Sequence, residues 1–216
     1  KIESSGSEMI HLDIMDGHFV PNITIGPVIV KAVRKTTRLI LDTHLMIEEP
    51  HRFIKEFIDA GSDIITIHAE AYCKIRDIPR LRSGQARLGK GMSKTVNEID
   101  ETRVKEVLSQ IKGFGKKAGL SLNPDSSLCI KNLLNTVDMV LFMSVHPGFG
   151  GQEFIEGVLP KIRELRKIFT GDIEVDGGIN DKNARLVIEA GANILVAGSY
   201  FFSSKDVKAS VRKLRS

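Results

Sequence analysis

Short apolar segments alternate with amphipathic segments along most of the chain. Several apolar segments are rich in β-branched residues and apolar on both faces, which is typical of parallel strands covered by helices. The predicted strands are 8–15, 38–47, 63–71, 117–123, 138–145, 172–178 and 193–199. Helical periodicity marks the segments 50–61, 101–115, 158–169 and 180–191. Strand alternating with helix predicts repeated βαβ units and a parallel sheet.

A weak internal repeat supports this organisation. The segments SSGSEMIHLD, DAGSDIITIH and EAGANILVAG each place a glycine after a helix end, followed by a small residue, an acid or asparagine, and an apolar strand. Gly6, Gly61 and Gly191 suit the left-handed backbone conformation that ends many helices. The repeat therefore predicts that one kind of helix-to-strand turn is used three times.

Seven predicted strands are compatible with two architectures. A closed (β/α)8 barrel needs eight strands, and the opening segment KIESSGSEM reads as the last turn of a helix. An open doubly wound sheet also holds seven strands, but no GxGxxG follows the first strand, and polar residues cluster at the C-terminal ends of nearly every strand. We predict an α/β fold, a single (β/α)8 TIM barrel domain over 1–216 that lacks its first βα unit.

One connection departs from this alternation. Residues 73–100 are polar and rich in glycine and lysine, and they form either an insertion over the barrel mouth or a flexible loop.

Composition limits the classes of partner and the cellular compartment that we expect for the protein. A net charge of +4, from 31 basic and 27 acidic residues, is too small and too dispersed to indicate nucleic acid. No apolar run reaches 18 residues, so no membrane partner is expected. The isolated Cys73 and Cys129 fit a reducing compartment. We expect the protein in the cytoplasm, with an organellar targeting segment upstream of residue 1 as the alternative.

Polar residues at strand ends carry the candidate chemistry, because active sites of these barrels lie at the C-terminal face of the sheet. His11 and Asp13 share one face of a strand, His44 ends the next, and Asp176 ends the strand before the last. Two histidines and two carboxylates suit a divalent metal, zinc first, with iron, cobalt or manganese as alternatives. His68 ends a further strand and either supports a ligand or faces the substrate.

Glycine-rich loops after late strands indicate a phosphorylated substrate. HPGFGGQEF (146–154) follows a strand and precedes a helix, and VDGGIN (175–180) and VAGSYFF (196–202) occupy the ends of the last two strands. Such loops let backbone N–H groups approach an anion closely. Loops after the last two strands of these barrels commonly hold phosphate.

Asp13 and Asp176 come from strands that are far apart in sequence. If they flank a bound substrate, one can remove a proton while the other returns one from the opposite side, with a metal stabilising the enediolate. That is the chemistry of epimerisation next to a carbonyl. Met15, Met46 and Met143 also end strands, where filling of the core is the default interpretation.

These motifs together resemble one family. HLDIMDGHFVPNITIGP, DTHLMI, IHAEA, MSVHPGFGGQEFI, EVDGGI and VAGS are similar to ribulose-phosphate 3-epimerases from residue 3 to about 202, apart from 73–100. The resemblance implies an isomerase with a (β/α)8 barrel that interconverts D-ribulose 5-phosphate and D-xylulose 5-phosphate. It also leads us to expect a pentose phosphate as the substrate and a homo-oligomeric assembly.

The resemblance also implies roles for individual residues. His11, Asp13, His44 and Asp176 match the metal ligands, and Asp13 and Asp176 match the two acid/base residues. His44 and Asp176 are also expected to contact the substrate, together with the phosphate-side residues Gly148, Phe149, Gly150, Gly151, Gly177, Gly178, Gly198 and Ser199, and with Met15, Met46 and Met143 around the reacting carbon. Nothing in the chain matches the family's first strand, which carries a serine that contacts the substrate.

Three alternatives accompany this interpretation. A six-carbon ketose phosphate such as D-allulose 6-phosphate would need the same motifs and a longer pocket. Related decarboxylase and aldolase barrels carry D-x-K-x-x-D on a strand, where this chain has DTHLMI with His44 in place of lysine. A non-catalytic phosphate-binding barrel would need neither Asp13 nor Asp176.

Overall fold

The computed structural model describes residues 2–73 and 99–215. Within them, seven strands form one parallel sheet in the order of the sequence. The strands are β1 (Met9–Met15), β2 (Ile40–Met46), β3 (Ile64–His68), β4 (Lys117–Leu122), β5 (Met139–Met143), β6 (Asp172–Asp176) and β7 (Ile194–Val196). Each lies within a segment that the apolar pattern predicts as a strand. The predicted connection 73–100 lies outside the described residues from 74 to 98.

Helices cover the outer face of this sheet. They are α1 (Pro27–Arg34), α2 (Ile54–Ala60), α3 (Glu101–Gly113), α4 (Leu159–Arg166), α5 (Ala184–Ala190), α6 (Gly198–Ser203) and α7 (Val207–Leu214). The four predicted helices correspond to α2, α3, α4 and α5. Helix α1 is not predicted from the sequence, because its β-branched valines and isoleucine are typical of a strand. Throughout 2–73 and 99–215, no helix combines the length and the hydropathy needed to cross a bilayer.

The sheet curls into a nearly closed barrel. His11 Nδ1 on β1 lies 3.5 Å from Glu174 Oε1 on β6, although these strands are far apart in the sheet order. Residues of β1 and β7 line the same cavity, while the described parts of these two edge strands do not pair with each other. The predicted barrel class is therefore confirmed, with seven of eight strands present in the described residues.

Side-chain alternation along the strands separates two environments. Residues such as Leu41, Ile67, Phe142 and Val175 point outward and join the main hydrophobic core between the sheet and the helices. The intervening residues point into the barrel, where an apolar cluster of Leu141, Met143 and Val145 accompanies many polar side chains. Most of the buried apolar surface therefore lies between the sheet and the helices. The interior of the barrel instead holds the polar side chains of the candidate site.

The predicted helix-to-strand turn is confirmed at all three positions. Gly6, Gly61 and Gly191 have φ angles of 94°, 107° and 117°. Two residues after Gly61, the Asp63 N–H donates to the Leu41 carbonyl at 2.9 Å, and Asp63 Oδ2 accepts from the Leu41 N–H at 3.0 Å. This reciprocal pair fixes the start of β3 against β2.

The same turn recurs between α5 and β7. The Asn193 N–H donates to the Ile173 carbonyl at 3.0 Å, and Asn193 Oδ1 accepts from the Ile173 N–H at 2.7 Å. An arginine packs over the glycine in both copies. A Cβ atom on Gly61 would lie 2.5 Å from Arg34 Cγ, and one on Gly191 would lie 2.7 Å from Arg166 Cβ.

We predict that Gly61→Ala destabilises the protein whereas Gly113→Ala does not. Gly61 combines a left-handed backbone with contact against Arg34, so the variant should lose about 1–3 kcal/mol of unfolding free energy. Gly113 ends α3 with open space around its Cβ position, so its variant should gain up to about 1 kcal/mol. Urea unfolding measures both, and equal stabilities would contradict the assignment.

Candidate active site

Ionisable side chains enter the barrel in pairs from three strands. Residues two apart on a strand share a face, and each of these strands carries such a pair near its C-terminal end: His11 and Asp13, Asp42 and His44, Glu174 and Asp176. The register of β1 and β2 places His11 beside Asp42 and Asp13 beside His44. The pairs therefore form two layers, with Asp13, His44 and Asp176 nearer the mouth of the barrel.

The four predicted ligands come together in the structure. One ligand atom each from His11, Asp13, His44 and Asp176 lies within 4.8 Å of the others. Asp13 Oδ1 is central, at 3.3 Å from His11 Nε2 and 3.1 Å from His44 Nδ1. The distances between these groups match a site in which one cation is shared by all four.

The chemistry of the donor set fits a divalent cation. His11 Nε2 is buried and has no hydrogen-bond partner among the described residues. The opposite ring nitrogen, Nδ1, contacts the Asp42 carboxylate. Loss of the Nε2 proton leaves a lone pair directed toward Asp13 while Asp42 accepts the Nδ1 proton, as in the carboxylate–histidine pairs of metal sites. Imidazole and carboxylate together suit zinc and its neighbours in the first transition row.

Asp42 and Glu174 were not found from the sequence, although both are almost completely buried beside His11. Their signal was available, because each lies two residues before a predicted ligand on the same strand face. Burial, reinforced by the charge of Asp42, raises the pKa of Glu174 to about 8. Burial lowers the pKa of His11, but Asp42 and Glu174 outweigh it and hold that pKa well above its usual range.

The two predicted acid/base residues differ in protonation. Burial raises the pKa of Asp176 to about 7, and the charge of Asp13 adds to this rise. Partial burial acts to raise the pKa of Asp13, but the neighbouring His11 and His44 outweigh it and hold that pKa well below its usual range. In the structure, Asp13 is therefore a carboxylate near neutral pH, while Asp176 is in part a carboxylic acid.

His44 is completely buried and, unlike the other predicted site residues, does not line the cavity described below. Burial is the main reason that the pKa of His44 falls to about 4, so its ring is neutral. His68 is also fully buried, with its Nε2 atom 2.8 Å from His44 Nε2. Of the two predicted roles of His68, the structure therefore favours support of His44.

A cavity of about 440 Å³ opens above these groups, within the size range of small-molecule sites. His11, Asp13 and Asp176 lie on its wall. The remaining predicted substrate contacts also line it: Met15, Met46, Met143, Gly148, Phe149, Gly150, Gly151, Gly177, Gly178, Gly198 and Ser199. The structure thus gathers strand-end residues and three loops around one space.

The loops after β5, β6 and β7 meet on one side of this cavity. A Cβ atom on Gly150 would lie 3.7 Å from Ser199 Oγ, which places the first loop against the third. A Cβ atom on Gly178 would lie 2.6 Å from the Phe154 backbone nitrogen, and Gly178 has a φ of +65°. Only a glycine allows this approach without displacing the backbone of the neighbouring loop.

Two amide side chains that sequence reasoning missed hold the glycine loop in place. Asn22 Nδ2 donates to the Gly148 carbonyl at 2.7 Å and so ties the loop after β1 to the loop after β5. Gln152 Nε2 donates to the carbonyls of His146 and Phe149 at 2.7 and 2.8 Å. Their amide side chains gave no distinctive signal, because Asn and Gln in loops are common.

Comparison with known sequences identifies relatives over nearly the whole chain. A family model described as the Ribulose-phosphate 3 epimerase family matches residues 1–90 and 92–202. The chain is 45% identical to ribulose-phosphate 3-epimerase of Bacillus subtilis (strain 168), over 99% of this chain and 88% of the relative. It is also 45% identical to the chloroplastic ribulose-5-phosphate-3-epimerase of Arabidopsis thaliana, over 99% of this chain and 69% of the relative.

Solved structures show the same fold at low sequence identity. A 3-hexulose-6-phosphate synthase aligns with a TM-score of 0.58 at 16% identity, covering 97% of this chain and 98% of the other. The protein named KGPDC from Streptococcus mutans aligns with a TM-score of 0.62 at 13% identity, covering 96% and 95%. At these identities the likeness concerns the barrel alone.

We predict that zinc binding to the metal-free protein releases protons and tightens as pH rises from about 6 to 8. His11, with its raised pKa, is protonated on both ring nitrogens at neutral pH, and a cation must displace the proton on Nε2. Falling pH favours this proton and so weakens binding. Isothermal titration calorimetry in buffers of different ionisation enthalpy counts the protons, and an affinity that is constant over this range would contradict the prediction.

Proposed function

The chain belongs to the ribulose-phosphate 3-epimerase family, and we propose that it is an isomerase that interconverts D-ribulose 5-phosphate and D-xylulose 5-phosphate. The support within the molecule is the pair of carboxyl groups, Asp13 and Asp176, that reach one cavity from β1 and β6 with different affinities for a proton. Epimerisation at C3 needs one group to remove a proton and another to deliver one.

In the proposed reaction, the Asp13 carboxylate removes the C3 proton of one epimer. The neutral Asp176 carboxyl donates a proton to C3 from the other side, and the roles exchange in the reverse direction. The opposite protonation of the two groups sets up this division of roles, as in other enzymes where neighbouring carboxyl groups have separated pKa values.

We propose that His11, Asp13, His44 and Asp176 hold a divalent cation, zinc first, with iron, cobalt or manganese as alternatives. When bound, the cation supplies positive charge that stabilises the negative oxygens left after proton removal. Asp42 orients the ring of His11 through its contact with Nδ1.

The remaining cavity residues suit a small sugar phosphate. The glycine residues of the loops after β5, β6 and β7 give the phosphate close access to backbone. Met15, Met46 and Met143 place apolar side chains beside Asp13 and Asp176, which limits water near the reacting carbon. A homo-oligomeric assembly and a cytoplasmic location stay predictions.

We predict that Asp13→Asn and Asp176→Asn each lower kcat by about 10²–10⁴-fold, because each variant loses one proton-transfer group while keeping its shape. A coupled assay with D-ribulose 5-phosphate measures the loss. Asp172→Asn is a matched control on β6, since Asp172 starts the strand and pairs with Lys117 at 3.3 Å, away from the cavity. The control should keep activity within about twofold.

Isotope exchange tests the proton path directly. Product formed in D₂O should carry deuterium at C3, because the carboxyl group that returns the proton exchanges with solvent. Full activity in either Asn variant, or product without deuterium at C3, would contradict the two-carboxyl mechanism.

A further inference from the structure

A chain of buried polar side chains continues from His44 away from the cavity. His44 Nε2 lies 2.8 Å from His68 Nε2, and His68 Nδ1 lies 3.0 Å from Glu70 Oε2. All three side chains are at most 2% exposed. Neither His68 nor Glu70 touches the cavity, so the proposed reaction gives them no direct part.

Glu70 is anchored as an acceptor. Its Oε1 atom accepts hydrogen bonds from Ser126 Oγ at 2.5 Å and from the Asn123 N–H at 2.8 Å. Burial acts to raise the pKa of Glu70, but hydrogen bonds from His68, Ser126 and Asn123 outweigh it and lower that pKa. Glu70 is therefore a carboxylate that offers only lone pairs to its neighbours.

This acceptor determines where protons lie in the two rings. Because Glu70 can only accept, His68 must carry a proton on Nδ1, and neutral His68 then has a lone pair on Nε2. That lone pair accepts the Nε2 proton of His44. His44, which can carry only one proton when neutral, is left with a lone pair on Nδ1, the atom 3.1 Å from Asp13 Oδ1.

We propose that Glu70 is a positioning residue that acts through His68 to hold His44 in the tautomer whose Nδ1 lone pair faces the metal site. The inference rests on the proposed metal site and extends it by two residues. With the opposite tautomer, His44 would donate Nδ1–H to Asp13 and offer nothing to a cation. That arrangement requires His68 either to be doubly protonated or to aim a lone pair at the Glu70 carboxylate.

Glu70→Gln is a sharp test, because it keeps the shape and reverses the pattern of donors. The Gln carbonyl should face the two donors, Ser126 and Asn123, which leaves its NH₂ group facing His68 Nδ1. His68 then accepts at Nδ1 and donates from Nε2, and His44 must keep its proton on Nδ1. We expect zinc affinity, measured by competition with a chromogenic chelator, to fall about 10–100-fold.

Thr43→Val is the matched control. Thr43 precedes His44 on β2, is equally buried, and forms a hydrogen bond of 2.7 Å with Ser62 outside the chain of histidines. The variant should lower the melting temperature as a buried hydrogen bond is lost, while the zinc dissociation constant stays within about twofold of the wild type. A general loss of stability would instead weaken zinc binding equally in both variants.

Nitrogen-15 NMR of the histidine rings in the zinc-loaded wild-type protein needs no variant and remains decisive if Glu70→Gln fails to fold. We expect the proton of His68 to lie on Nδ1, facing Glu70, and its lone pair to lie on Nε2, facing His44. A proton on His68 Nε2, or unchanged zinc affinity in folded Glu70→Gln, overturns the inference and leaves the proposed epimerase standing. A wild-type protein that binds no divalent cation overturns both the inference and the metal part of the proposed function.

Discussion

The alternation of side chains along parallel strands is the constraint on which the rest of the structure depends. A residue on a barrel strand faces either the helices or the interior, and its neighbour faces the other way. Here the outward positions are apolar and meet the helices in the main core, while the inward positions near the mouth carry histidines and carboxylates. Stability and chemistry are thereby assigned to different faces of the same strands, so ionisable groups can be buried without interrupting the core.

Burial of so many charges is tolerable only if they compensate one another. Asp13, Asp42, Glu174 and Asp176 bring four carboxyl groups close to His11, and isolated charges in such a place would be costly. The structure responds by keeping protons on Glu174 and Asp176 and by favouring the charged form of His11. A divalent cation would replace the Nε2 proton of His11, which links metal affinity to pH.

Local patterns predicted most of the fold and the first layer of the site. The strands, four helices and three left-handed glycines follow from sequence period, segment length and turn chemistry. The clustering of His11, Asp13, His44 and Asp176 follows from polar residues at strand ends. What escaped depends on contacts between distant segments. Helix α1 has a strand-like composition, and its Val30 packs in the main core. Glu70 looks like an ordinary acid after a strand until β4 and its following turn bring Asn123 and Ser126 against it.

Carboxyl groups of the same chemistry take different parts because their exposure differs. Asp42 and Glu174 present almost no surface to the cavity, whereas the side chain of Asp13 is 40% exposed. An exposed carboxylate can approach a C–H bond of a bound sugar, and a buried one can only orient a neighbour. The proposed proton transfer therefore falls to the layer nearest the mouth, and the layer beneath it, together with Glu70 and His68, orients the histidine rings beside Asp13.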